Sequence, residues 1–104
     1  MSKIEVEKII KKYAKKLKEK KYSFSAIYLF GSFAKGNARE YSDIDIAVIS
    51  EELNKERNKA KFKLWKLTEG IDSRIEPHGF SPEDFKEDWI PIVHEIKKTG
   101  IRVV

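Results

Sequence analysis

The sequence has no cysteine, two histidines, three prolines and five glycines in 104 residues. Without cysteine there is neither a disulfide framework nor a thiolate zinc site. The histidines, His78 and His94, have no second histidine or cysteine at metal-ligand spacing, so packing or surface roles are expected of both. No apolar run reaches spanning length and nothing resembles a signal peptide, which makes a cytoplasmic protein without membrane contact the expectation. Internal repeats, low-complexity tracts and linkers are missing too, so residues 1–104 are expected to form a single minimal domain.

What is present is charge. Charged residues make up 38% of the chain and hydrophobic ones 40%, enough apolar material to fold around a core. The net charge is +5, with lysine concentrated in "KIIKKYAKKLKEKK" (Lys8–Lys21) and "NKERNKAKFKLWK" (Asn54–Lys66). Such faces can attract nucleic acid or an acidic partner, but a solvated helix face is the simpler reading, and nucleic acid is not the favoured partner. A chain this short leaves little room for a second binding wall, which points to a partner protein or an oligomer.

Apolar residues at Ile4, Val6, Ile9, Ile10, Tyr13, Ala14 and Leu17 recur mostly at three- and four-residue steps, predicting an amphipathic helix over Ile4–Tyr22. "AIYLF" (Ala26–Phe30), stopped by Gly31, reads as a buried strand. "SFAKGNAREYS" reads as a loop with one helical turn after the glycine. "DIDIAVIS" (Asp43–Ser50) reads as a central strand whose first end reaches a cleft. A second long helix is expected over Asn54–Glu69, ended by Gly70. A third strand is expected over about Ile71–Glu76, with Pro77 marking an edge or an end. Ser81 and Pro82 suggest the cap and first position of a short helix to Trp89, and a last helix after Pro91 closes at Gly100 before an extended tail. Phe62, Trp65 and Trp89 are expected in the core or an interface. The order of elements indicates an α/β or α+β domain, a small sheet covered by helices.

Asp43 and Asp45 alternate with isoleucines at the mouth of the predicted strand, so both carboxylates leave one face. Like charges that close raise each other's pKa unless a cation sits between them. A hard divalent ion such as magnesium answers that need, since it takes oxygen ligands and shares protein carboxylates with substrate phosphates. Gly31-Ser32, at the end of the preceding strand, supplies what a phosphate requires: close backbone approach, N–H donors and a hydroxyl. Metal and phosphate together suit phosphoryl or nucleotidyl transfer. A third acid would come from "IDSRIEP", where Asp72, Arg74 and Glu76 share a face if the strand begins at Ile71. Glu76 is the first choice, and Asp72 remains open. Lys35 and Arg39 lie in the intervening loop, where exposed charge is the simpler reading.

Gly31-Ser32, a ten-residue spacer from Phe33 to Ser42, then Asp43-Ile44-Asp45 resembles the GS-x10-DxD signature of the polymerase-β-like nucleotidyltransferase superfamily. With "FGSFAKG" and "SDIDIAV" in place on so short a chain, it is similar to the minimal nucleotidyltransferases (MNT), the antitoxins of HEPT/MNT pairs. The resemblance implies a small mixed β-sheet flanked by helices, with ATP as substrate and Mg2+ as cofactor. By position, it assigns Gly31 and Ser32 to the triphosphate, Asp43 and Asp45 to magnesium, and Glu76 to the third acid that completes the metal site and activates the acceptor hydroxyl. The family usually has aspartate there, whereas this chain has a glutamate followed by proline. The resemblance further implies AMPylation of a tyrosine on a HEPT ribonuclease toxin. Nucleotidyl transfer to tRNA or a small molecule, and neutralisation of a partner by occlusion without catalysis, are the alternatives.

Overall fold

In the computed structural model, which describes residues 1–104, the chain enters its first helix through a capping box. The Ser2 hydroxyl accepts from the Glu5 N–H at 3.2 Å, while the Glu5 carboxylate accepts from the Ser2 N–H at 3.4 Å. Helix α1 (Lys3–Glu19) buries Val6, Ile10, Tyr13, Ala14 and Leu17 along one stripe and leaves its lysines to solvent. Strand β1 (Ala26–Phe30) follows, then the single turn α2 (Ser32–Lys35) and strand β2 (Ile44–Ile49). A 3-10 turn at Glu51–Asn54 and helix α3 (Arg57–Lys66) form the crossover to β3 (Ile75–Phe80). Helix α4 (Pro91–Thr99) and the short β4 (Ile101–Arg102) end the chain.

The sheet has the order β3-β2-β1-β4. β1 runs antiparallel to β2 and β4, whereas β2 and β3 are parallel, as their helical crossover requires. Side-chain alternation gives the sheet two apolar faces. Ile27, Leu29, Ile44, Ile46 and Val48 pack with the α1 stripe and with Leu64 of α3. Phe30 and Ala47 pack on the other side with Ile96 of α4, joined by Tyr28, Phe80 and Phe85. This is the small mixed sheet flanked by helices that the family resemblance implies. No helix is long and apolar enough to cross a membrane.

Three elements and three aromatic side chains differ from the sequence reading, the first being α3, which is Arg57–Lys66 rather than Asn54–Glu69 because Asn54 belongs to the preceding 3-10 turn. The third strand occupies Ile75–Phe80 rather than Ile71–Glu76, because Asp72 and Arg74 are engaged with each other in a turn. Asp72 Oδ1 accepts from the Arg74 backbone N–H at 2.9 Å, and its two oxygens also take the guanidinium at 3.0 and 2.7 Å. The short helix over Pro82–Trp89 shrinks to one 3-10 turn at Asp84–Lys86, whose N-cap position falls on Glu83 with no side-chain cap; the Ser81 hydroxyl, two residues earlier, accepts from the Asp84 N–H at 3.0 Å. Phe62, Trp65 and Trp89 lie on the surface rather than in the core, with Phe62 and Trp65 against each other at 5.8 Å between ring centroids. Pro77 does sit on an edge strand, where a missing N–H is tolerated.

α1 and α3 are tied together by a buried hydrogen bond: the Tyr13 hydroxyl donates to the Leu64 carbonyl at 2.6 Å. That carbonyl belongs to the last turn of α3, where intrahelical donors run out. Burial holds the Tyr13 phenol protonated by pushing its pKa well up. Tyr13→Phe strands the carbonyl in the core, so urea unfolding is expected to show a loss of about 1–3 kcal/mol.

Candidate active site

The β2–β3 register builds the site. Asp45 stands directly opposite Glu76, and His78 is two residues further along β3, on the same face as Glu76. One ligand atom from each of Asp45, Glu76 and His78 falls within 4.8 Å of the others. On the other side of β2, Asp45 pairs with Phe30, the last residue of β1, so the next residue, Gly31, arrives beside the Asp45 carboxylate. A Cβ placed on Gly31 would stand 2.5 Å from Asp45 Oδ2, and Gly31 has φ +77°, ψ −152°, a backbone region kept almost entirely for glycine. Ser32 opens α2 immediately after it.

Of the residues singled out in the sequence, Gly31, Ser32, Asp45 and Glu76 converge at this end of the sheet. Asp43 precedes β2, is exposed, and lies outside the three-residue cluster, but its charge acts on Glu76. Asp72 is not on the strand at all. Its carboxylate is consumed by Arg74, which holds its pKa below the usual range. Lys35 pairs with Glu95 of α4 at 2.5 Å, and Arg39 lies exposed in the loop, where its backbone N–H donates to the Ser42 hydroxyl at 2.7 Å. Glu76 enters at the start of β3, through a parallel pairing, instead of at the far end of a strand paired antiparallel or at a slant. His78, expected to pack or face solvent, sits among the acids; its spacing of two from Glu76 was the signal in the sequence.

The Glu76 carboxyl is pushed above its ordinary pKa, first by partial burial and then by the negative charge of Asp45, with Asp43 adding to it and His78 opposing. The unfolded chain lacks these neighbours and ionises Glu76 at lower pH. Stability of the metal-free protein therefore falls as pH rises through the window between the two values, and it stays reduced above it. Glu76→Gln removes that penalty. Thermal melts without metal are expected to place the variant at or slightly above the wild type at neutral pH, the gap closing below the ordinary glutamate range. The effect is small because the Glu76 side chain is 54% exposed.

The donor set fits a divalent cation. Two carboxylates stand opposite each other on neighbouring strands β2 and β3, and His78 Nε2 is buried with no hydrogen-bond partner. Gly31 leaves the space beside Asp45 clear. A positive ion there would relieve the repulsion that raises Glu76.

The profile of the nucleotidyltransferase domain family matches residues 10–99, and the chain belongs to that family. Two relatives carry the name protein adenylyltransferase provisionally. MJ1379 of Methanocaldococcus jannaschii is 48% identical over 50 residues, 48% of this chain and 49% of that protein. MntA of Haemophilus influenzae is 38% identical over 65 residues, 59% of this chain and 55% of that protein. The matched stretch thus spans about half the length of these relatives. A solved toxin-antitoxin structure with AMP-PNP superposes with a TM-score of 0.65 at 26% identity, covering 94% of this chain and 72% of that one.

Proposed function

We propose that this chain is a magnesium-dependent nucleotidyltransferase that moves AMP from ATP to a hydroxyl of a protein partner, a HEPT-type ribonuclease toxin, and thereby acts as its antitoxin. The observation that carries this reading is the placement of Asp45 opposite Glu76 with Gly31 against the Asp45 carboxylate. Membership of the nucleotidyltransferase domain family supports the chemistry. The names of the relatives and the toxin-antitoxin structure with AMP-PNP support a protein acceptor and an adenine nucleotide.

In this reading Asp43, Asp45 and Glu76 hold magnesium, while Gly31 and Ser32 receive the triphosphate. Magnesium, when bound, would neutralise phosphate charge and stabilise the attacking and leaving oxygens. The Gly31 backbone permits close approach of the phosphate, and Ser32 donates its N–H and hydroxyl to phosphate oxygens. Glu76, opposite Asp45, takes the proton of the acceptor hydroxyl. The hydroxyl oxygen bonds to the α-phosphorus, the α–β bridging P–O bond breaks, and pyrophosphate leaves. The acids lie at one end of the sheet, with Glu76 half-exposed on edge strand β3, so the partner supplies the missing wall. Exposed Phe62 and Trp65 on lysine-rich α3 favour a macromolecular acceptor over a small molecule. Residues 1–104 acting as one cytoplasmic domain belongs to the same proposal.

Label from α-labelled ATP, offered with candidate HEPT protein, tRNA and small-molecule hydroxyls in parallel, is expected on the protein alone and only with magnesium. Transfer to RNA instead would replace the acceptor. Full neutralisation of the toxin by the Asp43→Asn variant without ATP would replace catalysis with occlusion.

A further inference from the structure

His78 takes no part in the roles assigned so far, yet its ring nitrogen is turned into the cluster. Nε2 lies 3.6 Å from Asp45 Oδ1 and 4.0 Å from Glu76 Oε1. It is shielded from solvent and forms no hydrogen bond. A histidine present only to balance the acids would donate an N–H to one of them within about 3.2 Å, and none of the contacts is that short. Phe30 meets the imidazole edge to face, with 5.2 Å between centroids and 65° between planes. The ring thus has a packing partner that leaves Nε2 free. Donors bound to one ion at about 2.1 Å stand roughly 3 to 4.2 Å apart, and both His78 separations fall in that interval.

We propose that His78 Nε2 is a nitrogen donor of the divalent-metal centre, beside Asp45 and Glu76, and that it biases the centre toward first-row transition ions over magnesium. The inference rests on the metal-centre reading above. An all-oxygen site suits magnesium, whereas an imidazole strengthens binding in the order manganese(II) below cobalt(II), with magnesium gaining least. His78 is thereby a specificity-determining residue for the metal, contributed by the strand that also carries the third acid.

Pulsed EPR on the manganese(II)-loaded protein, with and without 15N-histidine labelling, reads the bond directly. A directly bonded histidine nitrogen is expected in the wild type and in His94→Gln, altered by the isotope, and absent in His78→Gln. Competition titrations should show His78→Gln losing about tenfold or more in cobalt(II) affinity while magnesium affinity stays close to wild type. Manganese(II) bound without histidine coupling in the wild type, coupling that persists in His78→Gln, or equal losses for cobalt and magnesium would each overturn the role of His78 and leave the metal centre standing. Failure of the wild type to bind any of the three ions, with or without a non-hydrolysable ATP analogue, would overturn the centre itself and this inference with it. The wild-type spectrum decides the matter even if a variant folds poorly.

Discussion

Asp45→Asn is expected to cut AMP transfer by about a thousandfold while leaving the fold intact. The Asp45 carboxylate accepts no hydrogen bond, and His78 Nε2 stands 3.6 Å from its Oδ1, so the amide takes its place without stranding a partner. What disappears is a negative charge at the centre of the cluster, opposite Glu76 and against Gly31. Losing one fixed electrostatic stabiliser of developing charge costs about 10²–10³ in turnover, and a charged metal ligand belongs at the upper end. The metal-free variant should melt no lower than the wild type, because the negative charge of Asp45 helps raise the Glu76 pKa. Steady-state transfer with circular dichroism melts reads both quantities. Loss of activity with an unchanged melt separates a chemical role from a structural one.

Gly31→Ala should damage stability and activity together. Its φ of +77° and ψ of −152° fall in a region that costs a residue with a Cβ about 1–3 kcal/mol. The new methyl would also meet Asp45 Oδ2 at 2.5 Å, which is well inside contact distance. Either the backbone after β1 shifts, or the Asp45 carboxylate turns out of the cluster. Misplacing a reacting group by about 1 Å costs about a hundredfold, so transfer is expected to fall by that order and urea unfolding by the strain. Gly36→Ala is the contrast. Gly36 has a similar φ of +79°, but nothing lies within 4 Å of its added Cβ, so stability alone should suffer.

The sheet's central strands were legible because their signals are local. Ala26–Phe30 is an uninterrupted run of strand formers ended by a glycine, and β2 begins one residue after Asp43. The frame of β3 was not legible, since Ile71, Ser73 and Ile75 alternate as a strand would. Only the side-chain bonds of Asp72 to Arg74 show that the chain is still turning there. Once the strand begins at Ile75, Ile75 pairs with Ile44 and Glu76 falls opposite Asp45, a register set by burial of the isoleucines. His78 was assigned a packing or surface role because its neighbours in the site are carboxylates, one of them on another strand, and not a second histidine. For Phe62 and Trp65 it is the core half of the expectation that fails. Helical periodicity marks them as apolar positions, but burial depends on what α3 faces, and the sheet is already covered by Ala60, Leu64 and Leu67.

The most direct test is a crystal of the protein with magnesium and a non-hydrolysable ATP analogue. The account predicts an ion in contact with the carboxylates of Asp43 and Asp45, with the triphosphate lying along Gly31 and Ser32. Nucleotide bound elsewhere, or those carboxylates turned away from each other with no ion between them, would contradict it.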